Sequence, residues 1–143
     1  MAALKNAVII LLALATITSL YILAVDTVLW EFNPRNGHAY ALIAFTVINL
    51  LLIGAVLAKP RTGLTITALW GTLQILLLIA DVATGLGIGA TPTESAAYLF
   101  LGEGAGVRNP SGYAVDILLI LYIALAIAGL RGRKTSSAPS APK

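Results

Sequence analysis

Three stretches of this chain, Ala7 to Val25, Ala39 to Ala58 and Thr62 to Ala80, carry no charged residue over 19, 20 and 19 positions. A helix rises about 1.5 Å per residue, so roughly 20 apolar residues cross the ~30 Å hydrocarbon core of a bilayer. A fourth stretch, Ser111 to Leu130, reaches that length with Asp116 as its single charge, near its start. Runs this long and this numerous exceed what a water-facing core of 143 residues can hide. Composition agrees, with 59% hydrophobic and 10% charged residues, where soluble domains carry about 25% charged. A soluble enzyme is excluded. The fold class expected is an all-α integral membrane protein with four transmembrane helices and a lipid bilayer as its first partner.

Charge sorts the ends of these spans. Lys5, Lys59, Arg61, Arg131, Arg133, Lys134 and Lys143 fall on one side, and only Arg35 and Arg108 on the other. The positive-inside rule makes the first side cytoplasmic, with both termini and the Lys59-Pro60-Arg61 turn there. All six acids, Asp26, Glu31, Asp81, Glu94, Glu103 and Asp116, lie in the outer half or outside it. The net charge of +3 is therefore a topology signal, and no basic face with interleaved aromatics points to nucleic acid. The first apolar run is longer than a signal-peptide core of about 7 to 15 residues, and no A-x-A-like site stands directly before Asp26, so it reads as a span.

The expected organisation is a transmembrane domain over 1–134, with spans near 7–30, 34–58, 63–86 and 110–130, and a disordered cytoplasmic tail over 135–143 rich in serine and proline. The outer loop, 87–109, holds Thr91-Pro92-Thr93-Glu94, a capping box with proline at the first helical position. A short extracytoplasmic helix over 92–101, stopped by Gly102, follows from it. A weak self-similarity relates the halves as two hairpins. Asp26 matches Asp81, Asn33-Pro34 matches Asn109-Pro110, and the Lys59 turn matches Arg131 to Lys134. It would be a parallel repeat, against which stands chance resemblance between apolar segments. The Asn-Pro pairs also read locally, as starts of the second and fourth spans.

Polar residues on a span turn to the bundle interior. Thr16, Ser19, Leu23 and Asp26 form one stripe at steps of three and four. His38, Ala41, Phe45, Asn49 and Leu52 form a second, and Thr67, Gly71, Gln74, Leu78, Asp81 and Gly85 a third. The outer-half set Asp26, Arg35, His38, Asp81, Arg108 and Asp116 is the candidate polar or ion site. It reads either as a proton, cation or solute pocket or as ion pairs that set helix register. Asn49 and Gln74 are candidate interior polar residues, open to a quinone, a polar solute or an interhelical bond. Gly54, Gly71, Ala124, Ala128 and Gly129 would permit close helix approach. Of the aromatics, Tyr21, Trp30, Tyr40, Tyr98, Tyr113 and Tyr122 mostly fit interfacial belts, with Trp70 deeper.

His38 is the sole histidine and no cysteine is present, so no metal or cofactor is expected. Phosphate-loop, nucleophile-elbow and zinc-protease motifs are also missing. The function expected first is that of a non-catalytic membrane protein, a small accessory or assembly subunit with membrane-protein partners or a homo-oligomer. The alternative is a small transporter, channel or solute-binding protein built on the outer-half carboxylates.

Overall fold

The computed structural model describes residues 2–31, 37–87, 89–104 and 106–136. Four long helices dominate, α1 (Ala2–Val25), α3 (His38–Ala58), α4 (Pro60–Thr84) and α6 (Ala114–Ser136). Two short ones, α2 (Val28–Glu31) and α5 (Pro92–Ala96), lie between them. The long helices pack around a ring in the order α1, α3, α4, α6, with α6 closing on α1. Neighbours run antiparallel. Leu4, Leu64 and Gly132 therefore meet at one end, called here the turn end. Asp26 and Ser111 meet at the other, the loop end.

The bundle turns large apolar side chains outward and holds a few polar ones within a largely apolar core. Ile17, Leu51, Leu69 and Ile120 are 63, 67, 66 and 64% exposed, while Ser19, Asn49 and Thr67 are fully buried. Four helices are long and apolar enough to cross a membrane: Ala2–Val25, His38–Ala58, Pro60–Thr84 and Ala114–Gly132. Such an outer face in water would be one continuous adhesive patch. The inward threonines are satisfied by their own helices. Thr16 donates to the Leu12 carbonyl at 2.9 Å and Thr67 to that of Gly63 at 2.8 Å, so neither leaves a hydroxyl unpaired in an apolar setting.

α4 and α6 approach closely, because glycine removes the side chain where the backbones cross. A Cβ on Gly71 would stand 2.6 Å from the Tyr122 carbonyl oxygen, and one on Gly129 2.6 Å from that of Leu64. Gly54, expected to act likewise, has nothing within 4 Å of its Cβ position, and Ala124 and Ala128 are half-buried.

Helix ends depart from the expected spans where side chains capture backbone groups. α1 stops at Val25, because the Asp26 carboxylate accepts the Leu29 N–H at 3.3 Å and starts the separate turn α2. Asp81 instead lies inside the last turn of α4, so the two acids matched by the repeat occupy different helical positions. α6 begins at Ala114, not at Pro110, because the Asn109 side chain is spent on the Ser111 N–H at 2.9 Å and the Ser111 hydroxyl at 2.6 Å. Thr135 and Ser136, expected in the tail, are still helical. Asn33, Pro34 and residues 137–143 lie outside the described residues.

Over the loop end folds a small roof. Gly85, at φ 74°, ends α4, and its N–H bonds back to Asp81 and Val82. The capping box then forms as expected, with the Thr91 N–H donating to Glu94 Oε2 at 2.8 Å and the Glu94 N–H to Thr91 Oγ1 at 3.3 Å. α5 widens into a π-type turn over Ala97–Leu101, and Gly102 at φ 82° stops it. A two-residue ladder follows, pairing β1 (Glu103–Gly104) with β2 (Val107–Arg108).

Candidate functional site

Where the three polar stripes converge at the loop end, the helices do not close on one another. A cavity of about 350 Å³ remains between α1, α3, α4 and α6, covered by Leu86, Tyr98, Leu99, Val107 and Asn109 of the roof. That volume is within the usual range of small-molecule sites, about 300 to 1,000 Å³. Its walls are mostly aliphatic, with Phe45 the ring that faces it from α3. Phe45 is held edge-on against Trp70, with ring centroids 5.4 Å apart.

The mouth carries the ionisable groups. His38 Nε2 lies 3.0 Å from Asp81 Oδ1, a bridge between the start of α3 and the end of α4. Asp26 is 3% exposed, and its second oxygen shares the Ser111 hydroxyl proton, at 3.3 Å, with Asn109 Oδ1 at 2.6 Å, which ties the end of α1 to the turn before α6. Asp26, His38 and Asp81 thus line one cavity. Asp116, in the first turn of α6, is not part of the lining. Arg108 is exposed on β2, and Arg35 lies outside the described residues. Among the described residues no group of three acids or histidines converges as a metal site.

The deep amides separate into two roles. Asn49 is fully buried, accepts the Trp70 indole N–H at 2.8 Å and donates to the Tyr122 hydroxyl at 3.3 Å, joining α3, α4 and α6. Ser19 on α1 sits beside the same hydroxyl without meeting hydrogen-bond geometry. Tyr122 is therefore a core residue, 3% exposed, and not part of an interfacial belt. Gln74 is the contrast. It is 6% exposed and lines the cavity, and its Nε2 has no partner among the described residues. An unmet buried donor costs about 1–3 kcal/mol.

Two residues of the roof show how it is held. Leu86 is buried over the cavity at φ 58°, a left-handed conformation that costs a leucine about 1–2 kcal/mol. Asn109 donates to the Tyr98 carbonyl at 3.2 Å, fixing the π-type turn above the mouth. Burial, and to a lesser degree the charge of Asp26, pushes the Tyr98 hydroxyl up to about 12. At the exposed edge, the bonds from the Thr91 N–H and hydroxyl hold the Glu94 carboxyl below its ordinary range. Ser111, Tyr122 and Leu86 join this site without a signal in the sequence. Their roles depend on Asp26, on Asn49 and on the turn after Gly85.

Compared with protein-family models, curated proteins and solved structures, the chain matches none.

Proposed function

We propose that this chain spans the plasma membrane with both termini in the cytoplasm, and that it serves there as a small-molecule binding protein without chemistry of its own. The observation that carries this reading is the roofed cavity with the unpartnered Gln74 amide inside it. A bundle selected for packing alone would close around Gln74 or replace it with leucine, because an empty cavity and an unmet donor each cost stability. The positive-inside rule, applied to Lys5, Lys59, Arg61, Arg131, Arg133 and Lys134 at the turn end, favours an orientation with the roof outside the cell. The roof and the His38–Asp81 bridge then control exchange with the outer leaflet or the medium.

An accessory-subunit role draws on the apolar outer faces of the helices. Any spanning helix turns such faces to lipid, so they favour no particular partner.

The test is extraction of the full chain from its own membranes with the surrounding lipid retained, followed by native mass spectrometry. One small molecule per chain is expected, lost in Ala41→Phe, which fills the cavity from α3 while leaving helix content unchanged by circular dichroism. A bare chain, or an adduct that Ala41→Phe leaves in place, contradicts the reading.

A further inference from the structure

The cavity is covered unequally. Among its lining residues, Ile22 and Asp26 of α1 and Leu118 and Tyr122 of α6 are buried. Leu77, Ala80 and Thr84 of α4 are exposed, and Ala41, Leu42 and Phe45 of α3 are half-buried. The cavity therefore opens sideways, between α3 and α4. Two contacts across that gap frame the opening. The His38–Asp81 bridge stands on its loop-end side, and the edge-on pair of Phe45 and Trp70 on its turn-end side. His38 and Phe45 are seven residues apart on one helix, so the window is about 10 Å high. Ala41 on α3 and Leu77 on α4 flank its middle.

Leu77 lies seven residues before Thr84, about 10 Å inside the loop end of α4. Leu73, Leu76 and Ile79, exposed around it on the same helix, mark that depth as hydrocarbon. In the orientation proposed above, the window looks into the acyl chains of the outer leaflet and not into the medium. What passes it is drawn from a layer where ions are scarce and costly.

Gln74 stands near the turn-end rim, one turn from Trp70. Its Nε2 is sealed among side chains, and its amide oxygen, also without a partner among the described residues, is the atom left open to the cavity. An occupant must therefore bring a donor to that depth. A cationic donor is disfavoured, because the carboxylate on the same helix, Asp81, is about 10 Å higher and already bonded to His38. Among uncharged donors a hydroxyl adds least, since donor and acceptor share one atom, and it bonds the amide turned either way. Its lone pair has a partner at hand in Tyr122, whose hydroxyl accepts from Asn49 and keeps its own proton to give. A single water meets the same two groups but leaves the aliphatic remainder of the cavity unfilled, and apolar cavity walls do not hold water.

We infer that an uncharged, membrane-soluble alcohol enters from the outer leaflet through the α3–α4 window and seats its hydroxyl on the Gln74 oxygen, with its apolar body against Phe45 and the leucines. This rests on the binding reading above and adds the chemistry of the ligand and its route.

Gln74 is the only glutamine in the chain, so selective ¹⁵N-glutamine labelling of the full protein gives a single side-chain amide pair by NMR. Phe45, one of three phenylalanines, reports occupancy through its ring carbons. The protein is placed in nanodiscs, and 1-decanol, decane and decylammonium, which share a chain and differ at its end, are added separately. Per mole in the bilayer, decanol should move both signals and bind about three- to tenfold tighter than decane, with decylammonium the weakest. Gln74→Leu should abolish the advantage of decanol while Phe45 still responds to it. Decane as tight as decanol with the Gln74 amide unmoved, or decylammonium tighter than decanol, overturns the alcohol assignment and leaves the binding reading standing. No response at Phe45 to any of the three counts against both. The chain has no cysteine, so Ala41→Cys with Leu77→Cys is bridged across the window by a short bis-methanethiosulfonate and released by reductant. Decanol added after bridging should not reach Phe45 until the reductant is supplied. Unhindered access with the bridge in place overturns the sideways route.

Discussion

The indole nitrogen of Trp70 donates to the side-chain oxygen of Asn49 at 2.8 Å, entirely within the bundle, and this bond divides the two deep amides of the protein into one that holds helices and one that does not. Asn49 links α3 to both α4 and α6. Gln74, one turn beyond Trp70 on α4, lines the cavity, and its buried nitrogen has no partner among the described residues.

Opposite stabilities follow for the two leucine variants. Asn49→Leu strands the Trp70 N–H in an apolar interior and should destabilise the fold by about 1–3 kcal/mol, toward the lower end if the unfolded chain in detergent finds other partners. Gln74→Leu, without added ligand, should be neutral or stabilising. Equilibrium unfolding in mixed micelles, followed by Trp70 emission, measures both. A Gln74→Leu variant as damaged as Asn49→Leu would give Gln74 a structural bond.

The α4–α6 seam makes a steric prediction. Gly71→Ala places a methyl 2.6 Å from the Tyr122 carbonyl oxygen and 2.9 Å from the Ala126 nitrogen, both backbone atoms that cannot swing aside. A loss of about 1–3 kcal/mol is expected. Gly54→Ala meets nothing within 4 Å, and replacing glycine within a helix should raise stability by about 0.5–1 kcal/mol. The same unfolding assay on both variants checks the pair. Equal effects would mean that α4 and α6 are not in close contact at Gly71.

Tyr98 predicts a pH dependence of the roof. Its folded hydroxyl titrates at about 12, above the ordinary 10.0, so the roof is stabilised below pH 10 and loses that contribution as pH climbs from 10 toward 12. The tyrosinate absorbance of the native protein minus that of Tyr98→Phe should titrate near 12. Asp26→Asn should bring it down only in part, because burial is the larger cause. Titration of Tyr98 at its ordinary value would mean that the roof is open to water.

Periodicity makes much of this architecture legible in the sequence. Charge-free runs mark the four long helices, and Thr91 with Glu94 marks the capping box. Steps of three and four also place Asn49 and Gln74 on interior faces. Which of the two is satisfied is not legible, since Trp70 is 21 positions from Asn49 and Tyr122 is 73 away. The cavity is equally hidden, because it depends on how far α3 and α4 stand apart above their shared turn. Asn109 misleads for a local reason. An asparagine before proline reads as a helix cap, yet here its side chain turns to Ser111 and Tyr98, and α6 starts four residues beyond Pro110. The β1–β2 ladder leaves no alternating pattern at two residues per strand. Gly104 fits because even a Cβ there would strike the backbone of Glu94 and Tyr98.

The most direct measurement is a high-resolution structure of the chain extracted with its own lipids, read at Gln74. The binding reading predicts density for a non-protein molecule in the cavity, with a polar atom about 3 Å from the Gln74 side-chain amide. A cavity closed by its own side chains, with that nitrogen bonded to a neighbouring carbonyl, would contradict it.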